Sequence, residues 1–133
     1  MELKTPNFTR LEYFEQRFRA KFQDLSPQIL ADVLVSPREV EELGELVGDL
    51  LRWGMRKKLQ AAYPLCVSLF LVWCTVYHYK EGKLWEPIFA KLNVQDDNSR
   101  RKFLGDLFLA TLSDYRLQLA PDDGSKRYMT PIL

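Results

Sequence analysis

The residues that could act as nucleophiles or metal ligands are two cysteines and one histidine, all in one apolar stretch. Cys74 and His78 are four residues apart, so a helix would place them on one face as a thiol–imidazole pair. Cys66 precedes Cys74 by about 12 Å of helix, too far for a disulfide. A zinc site needs more ligands, and a nucleophilic pair needs an orienting third group. The pattern therefore predicts free buried thiols in a reducing cytoplasm, without catalysis or metal binding.

The remaining motifs also favour structural roles. The acidic pairs Asp96-Asp97 and Asp122-Asp123 lack the ligand spacing of a calcium loop, and they are typical of turns and helix caps. Gly44 and Gly48 are not followed by the Lys-Ser/Thr of a phosphate-binding loop. Either a neighbouring helix approaches closely at these glycines, or they are tolerated surface positions. We therefore expect a protein that is not an enzyme and that has no cofactor.

The stretch that must position these residues runs from Ala61 to Tyr77 and contains no charged residue. A membrane-spanning helix needs about 20 apolar residues, with about 17 as the lower limit. This stretch lies at that limit, contains Pro64, and has basic residues on both sides, so no charge bias would orient an insertion. A helix that is apolar all round lies in lipid or at the centre of a globule. The amphipathic segments around it favour the second location, so we expect no membrane insertion.

Length and composition are those of one folded domain over 1–133. Apolar residues make up 47% of the 133 residues and aromatic residues 13%, which excludes a disordered chain. The net charge is +1, so no overall field favours nucleic acid or anionic lipid, although a local basic patch could do so.

The periodicity of the flanking segments predicts amphipathic helices around the central one. Thr9 with Glu12, and Ser36 with Glu39, have the spacing of capping boxes. Alternating polar and apolar residues after Tyr115, interrupted by a turn, predict a β-hairpin. The predicted fold is a mainly α, compact bundle of five or six helices around helix 63–80. Its elements are helices 10–23, 27–34, 37–59, 63–80, 84–92 and 99–115, and the hairpin 116–130.

Basic residues near the C-terminus allow a nucleic-acid-binding alternative. A helix followed by a hairpin, each with clustered cations, is the outline of a winged-helix domain, and phosphate contacts need such clusters. Against this alternative, the helix is largely apolar and carries Asp106 and Asp114, and the hairpin tip is acidic. The candidate nucleic-acid contacts are Arg100, Arg101, Lys102, Lys126 and Arg127.

Large aromatic residues favour a protein partner instead. Tyrosine and tryptophan are common anchors of protein interfaces, although they are also ordinary core residues. The candidate interaction residues are Trp53, Tyr77, Tyr79 and Trp85. Their number in a chain of this size predicts that some of them remain on the surface.

The C-terminal half carries a resemblance to a known class of proteins. The strings YHYKEGKLWEPIFAKL, RRKFLGDLF and GSKRYMTPIL are its clearest segments. Over residues 63–133 the chain resembles the N-terminal helical region of large bacterial multidomain proteins, of the type encoded beside phage-defence or mobile-element genes. The resemblance implies a helical recognition or scaffolding domain ahead of an effector, and it carries over no functional residue. The apolar ending at Leu133 also predicts that a further segment follows.

Together these observations predict a cytoplasmic, non-enzymatic protein-interaction or scaffold module. Its partner would be another protein or a downstream domain of the same chain.

Overall fold

The computed structural model describes residues 5–22, 28–29, 33–79, 81–115 and 117–118. Within these residues the fold is six helices packed against one another, with one pair of very short strands. The elements, in chain order, are α1 (Phe8–Lys21), β1 (Gln28–Ile29), α2 (Pro37–Arg52), α3 (Arg56–Ala62), α4 (Pro64–His78), α5 (Trp85–Leu92), α6 (Asn98–Asp114) and β2 (Leu117–Gln118).

The uncharged stretch forms the centre of the fold, as predicted. Every residue of α4 from Leu65 to Thr75 is buried, so this helix has no exposed face along most of its length. Helices α1, α2, α5 and α6 all pack against it. The apolar sides of four amphipathic helices thus share one partner, which is the arrangement that a helix apolar all round requires in water.

Helix α1 places its predicted aromatic stripe in the core but begins earlier than predicted. Its buried apolar residues are Leu11, Phe14, Phe18 and, just beyond the helix, Phe22. The N-cap is Asn7, whose side-chain oxygen accepts a hydrogen bond from the backbone N–H of Arg10 at 3.1 Å. The predicted cap at Thr9 was therefore wrong. Asparagine and threonine are both good caps, and the local sequence offered both.

The predicted long helix over 37–59 divides into α2 and α3 at Gly54. The start was correct, because Ser36 and Glu39 form the reciprocal capping box. After Arg52, Gly54 adopts a φ of 69°, and its N–H donates to the carbonyl of Leu51. The next N–H, of Met55, donates to the carbonyl of Leu50 at 2.9 Å. These paired bonds around a left-handed glycine end a helix and turn the chain.

The two glycines of α2 lie where α5 approaches, which confirms the close-packing alternative. A Cβ atom at Gly48 would lie 2.0 Å from the carbonyl oxygen of Leu92, and one at Gly44 would lie 3.1 Å from that of Lys91. At the same crossing the Arg52 guanidinium pairs with buried Asp49 and donates to the carbonyl of Leu92 at 2.5 Å. The carbonyl groups at the end of α5 thus accept hydrogen bonds from Arg52 of α2, so they are not left without donors.

Two predicted elements differ from the structure or lie outside it. The helix over 27–34 was wrong where the chain is described. Gln28–Ile29 is extended and pairs in parallel with Leu117–Gln118, and residues 34–36 are not helical. Of the hairpin predicted over 116–130, the structure describes only Leu117–Gln118, and the rest lies outside the described residues. The strand that pairs with Leu117–Gln118 is Gln28–Ile29, so the structure does not support the hairpin.

The end of the central helix also differs from the prediction. Helix α4 ends at His78, and Tyr79 is its C-cap. Gly82 lies in the following turn with a φ of 76°. In the part of the chain that the structure describes, each helix taken singly is too short or too polar to cross a membrane. Helices α3 and α4 together meet the length and composition, but they lie at 95° to each other.

Candidate interaction surfaces

The thiols of the central helix are buried and protonated. Cys66 and Cys74 are both free and fully buried. Burial raises the pKa of the Cys66 thiol well above its ordinary value, and it raises the pKa of Cys74 to about 12. The thiolate is the reactive form of cysteine, so neither residue is an available nucleophile at neutral pH. No group of three or more potential metal ligands occurs among the described residues.

His78 belongs to a charged cluster at the end of α4 rather than to a pair with Cys74. Its Nε2 atom lies 4.0 Å from a carboxylate oxygen of Glu41, which forms an ion pair with Lys91. Burial lowers the pKa of His78 below its ordinary value, and the nearby Lys91 ammonium lowers it further, while Glu41 acts in the opposite direction. The imidazole is therefore neutral at physiological pH.

Apolar and aromatic side chains are exposed at this same end of α4. The indole N–H of Trp73 donates to the carbonyl of Val33, and the Tyr77 hydroxyl donates to that of Val35, both at 2.8 Å. These bonds hold the segment between Val33 and Val35 beside the helix. Leu34, between the two anchors, is 74% exposed.

Apolar and aromatic side chains are also exposed in the last turn of α4. Val76 is 43% exposed, and Tyr77 and Tyr79 are also exposed. We call Leu34, Val76, Tyr77 and Tyr79 the α4 C-terminal surface. A cavity of about 450 Å³ opens beside it between α4 and α5. The cavity is lined by Tyr77, His78, Tyr79, Pro87, Ala90 and Lys91.

The structure divides the four candidate interaction residues among three locations. Tyr77 and Tyr79 line the same cavity. Trp53 is exposed in the turn between α2 and α3. Trp85 is half-buried at the start of α5, where it packs on Phe89 and lies under the Arg101 guanidinium. One contiguous aromatic surface made of all four residues is therefore not formed.

The basic residues at the start of α6 are individually neutralised. Arg100 pairs with Asp97 at 2.5 Å, Arg101 holds Asp96 through two hydrogen bonds, and Lys102 pairs with Asp106 at 2.9 Å. Phosphate contacts through these cations would have to displace three carboxylates. Lys126 and Arg127, the other two predicted nucleic-acid contacts, lie outside the described residues. The winged-helix alternative stays a prediction that this geometry does not favour.

Sequence reasoning missed Leu34 and Val76 as surface residues. Both belong to strongly apolar segments, where periodicity indicates burial. The position of Val76 next to the end of α4 is the signal that could have predicted its exposure, because the burial of this helix ends at Thr75. Comparison with protein-family models, curated proteins and solved structures finds no match to this chain.

Proposed function

We propose that this chain is a non-enzymatic protein-interaction or scaffold module that binds its partner through the α4 C-terminal surface. The observation that carries the proposal is Leu34, which remains 74% exposed although its two neighbours are hydrogen-bonded to α4. A mobile leucine on a surface has little meaning, but one held in place next to exposed tyrosines resembles the preorganised apolar centre of an interface.

The aromatic residues at this surface support the same function. Tyr77 stacks on Trp73, with ring centres 5.4 Å apart, so its ring is already fixed before any partner arrives. A fixed ring loses little conformational freedom on binding, and tyrosine is enriched among the residues that dominate binding energy. The neighbouring cavity could receive one or two side chains of a partner.

We further propose, from the resemblance of residues 63–133 to the N-terminal helical region of large bacterial multidomain proteins, that the chain is the N-terminal recognition domain of a larger bacterial protein of the defence type. The partner is then another protein or a downstream domain of the same chain. Buried, protonated thiols and a neutral histidine beside the Glu41–Lys91 ion pair support an interaction role over an enzymatic one.

The test combines light scattering during size-exclusion chromatography with pull-down from a bacterial lysate. Charge is introduced into the surface by Leu34→Glu and Val76→Glu. The matched control is Leu109→Glu on α6, since Leu109 is also 43% exposed but lies on another helix. We expect the wild type and the control to form the same complex, and each surface variant to weaken it by about 30-fold.

Two results would contradict the proposal. One is a wild-type chain that is monomeric and captures no protein. The other is a complex that the surface variants and the control affect equally, because binding would then take place elsewhere.

A further inference from the structure

The start of α3 is a second basic surface, and its cations differ from those of α6 in lacking carboxylate partners among the described residues. Helix α3 begins with Arg56, Lys57 and Lys58, three consecutive cations. Among the residues that the structure describes, none of the three forms an ion pair with a carboxylate. Within the described part of the chain, these three positive charges in one turn of helix have no ion-pair partner, whereas those of α6 are paired.

The surroundings of these cations fix two of them in place. Arg56 donates to the Ser99 hydroxyl at 3.0 Å and lies 5.5 Å from the centre of the Phe103 ring. The Lys58 ammonium lies 5.8 Å from the ring centre of Phe8 and 5.9 Å from that of Tyr63. Contacts with hydroxyls and ring faces orient a cation without cancelling its charge, so an anion can still be attracted.

Lys57 reaches the edge of a groove that these neighbours leave open. The groove lies between α3 and α6, has a volume of about 360 Å³, and contains Ala61, Pro64, Leu107 and Ala110 among its lining residues. Aliphatic groups thus form much of its floor. The carboxylate of Asp114 also lines it, so the groove presents a cation from α3 and an anion from α6.

We propose that this α3–α6 groove binds an acidic protein segment that carries aliphatic side chains. The carboxylates of the segment pair with the cations of α3, and its aliphatic side chains occupy the groove. This site is separate from the α4 C-terminal surface and does not depend on the function proposed for it. Charge complementarity favours a segment with several acidic residues, because Lys57 lines the groove and Arg56 and Lys58 are its neighbours on α3, without ion-pair partners among the described residues.

The groove suits a peptide better than a nucleic acid. A nucleic acid carries a negative charge at every nucleotide, so some phosphate would come close to Asp114. Its bases bind single-stranded sites mainly by stacking on aromatic rings, and none of the described residues that line this groove is aromatic. A peptide can confine its acidic residues to the α3 side and leave an uncharged residue next to Asp114.

The experiment measures fluorescence anisotropy with three labelled probes at low salt and at about 150 mM salt. The first probe is a short peptide of glutamate and leucine, and the second is the same peptide with every leucine replaced by serine. The third is single-stranded oligo-dT. The protein variants are Lys57→Glu, Ala110→Glu and Asp114→Asn, with Lys102→Glu as the matched control because it reverses an exposed lysine on α6 that has a carboxylate partner.

We expect the leucine-containing peptide to bind more tightly than the serine peptide and oligo-dT, and to weaken with salt. Lys57→Glu and Ala110→Glu should each reduce its affinity by a factor of about five or more, Asp114→Asn should increase it, and Lys102→Glu should change it less than twofold. Circular dichroism checks that each variant is folded. Equal binding of the two peptides, preferred binding of oligo-dT, or no peptide binding at low salt would overturn the proposal.

Discussion

The carboxylate of Glu15 on α1 accepts a hydrogen bond at 2.9 Å from the backbone N–H of Cys66, in the first turn of α4. It also accepts one from Leu65 at 3.2 Å. The N-cap residue of α4 is Tyr63, which makes no side-chain capping bond. A buried acidic residue of one helix thus caps another, and the negative charge lies where the helix dipole is positive.

Removing this carboxylate should destabilise the fold. Glu15→Ala leaves two buried N–H groups without acceptors, and each unsatisfied group costs about 1–3 kcal/mol. We therefore expect a loss of about 2 kcal/mol or more in the free energy of unfolding, measured in urea. Glu12→Ala, an exposed position on the same helix, is the control. If the two variants lost the same stability, the cap would contribute nothing.

The same carboxylate should give the stability a distinct dependence on pH. Burial raises the pKa of Glu15, although the bonds from Cys66 and Leu65 and the nearby Arg19 oppose this effect. An acid with a raised pKa in the folded state binds its proton more readily there than in the unfolded chain. Its contribution to stability is therefore present below the unfolded pKa and is lost as the pH rises through the folded pKa.

Glu15→Gln isolates that dependence, because the amide does not titrate. The free energy of unfolding of the wild type, minus that of the variant, should fall as the pH rises from about 4 toward neutrality. Denaturant titrations at a series of pH values measure this difference and cancel the other ionisable groups. A difference that stays constant with pH would show that the pKa of Glu15 is not raised.

Packing between α2 and α5 should be sensitive to a single methyl group at Gly48. The added Cβ would lie 2.0 Å from the carbonyl oxygen of Leu92, which belongs to the backbone and cannot rotate away. Gly48→Ala should therefore destabilise by about 2–3 kcal/mol despite the better helix propensity of alanine. At Gly44 the nearest atom is 3.0 Å away on the Phe70 ring, so Gly44→Ala should cost less. Thermal unfolding of both variants tests this order, and the reverse order would contradict the packing.

The sequence predicted those parts of the fold that local patterns control. The uncharged stretch could only be a core or a membrane helix, and the Ser36–Glu39 capping box fixed the start of α2. The break at Gly54 could have been anticipated from a glycine next to the end of an amphipathic run, but a continuous pattern of apolar residues concealed it. The extended pairing of Gln28–Ile29 with Leu117–Gln118 joins segments far apart in sequence, so no local pattern could predict it.

The candidate surfaces were predictable only in part, for the same reason. Residue type marked Tyr77 and Tyr79 as anchors, and both line one cavity. The cations of α6 have carboxylates a few residues away in the sequence, as Arg101 has in Asp96, whereas no acidic residue lies close to Lys57 in the sequence. That Lys57 lines a groove between α3 and α6 depends on how the two helices pack, so no local pattern could predict it.

The two cysteines should react only when the chain unfolds. Both thiols are fully buried, and burial raises the pKa of Cys74 to about 12. We expect almost no reaction with an aromatic disulfide reagent at about pH 8 in buffer, and rapid labelling of both thiols in denaturant. Rapid modification of the folded protein would show an accessible thiolate and would revive the catalytic reading of Cys74 with His78.

His78 offers the most direct probe of the α4 C-terminal surface, since it is the one histidine in the sequence. Its pKa is lowered by burial and then by Lys91, and raised by Glu41. In a proton NMR titration of the folded protein we therefore expect a pKa below the ordinary histidine value. Lys91→Gln should raise that pKa, and Glu41→Gln should lower it further.

The lowered pKa of His78 also affects the stability of the fold and the response to a partner. A histidine with a lowered pKa takes up its proton more readily in the unfolded chain, so its contribution to the free energy of unfolding is lost as the pH falls. A partner that fills the neighbouring cavity and excludes water should lower the pKa again, because burial penalises the charged imidazolium. A partner that instead left the titration unchanged would bind away from this surface.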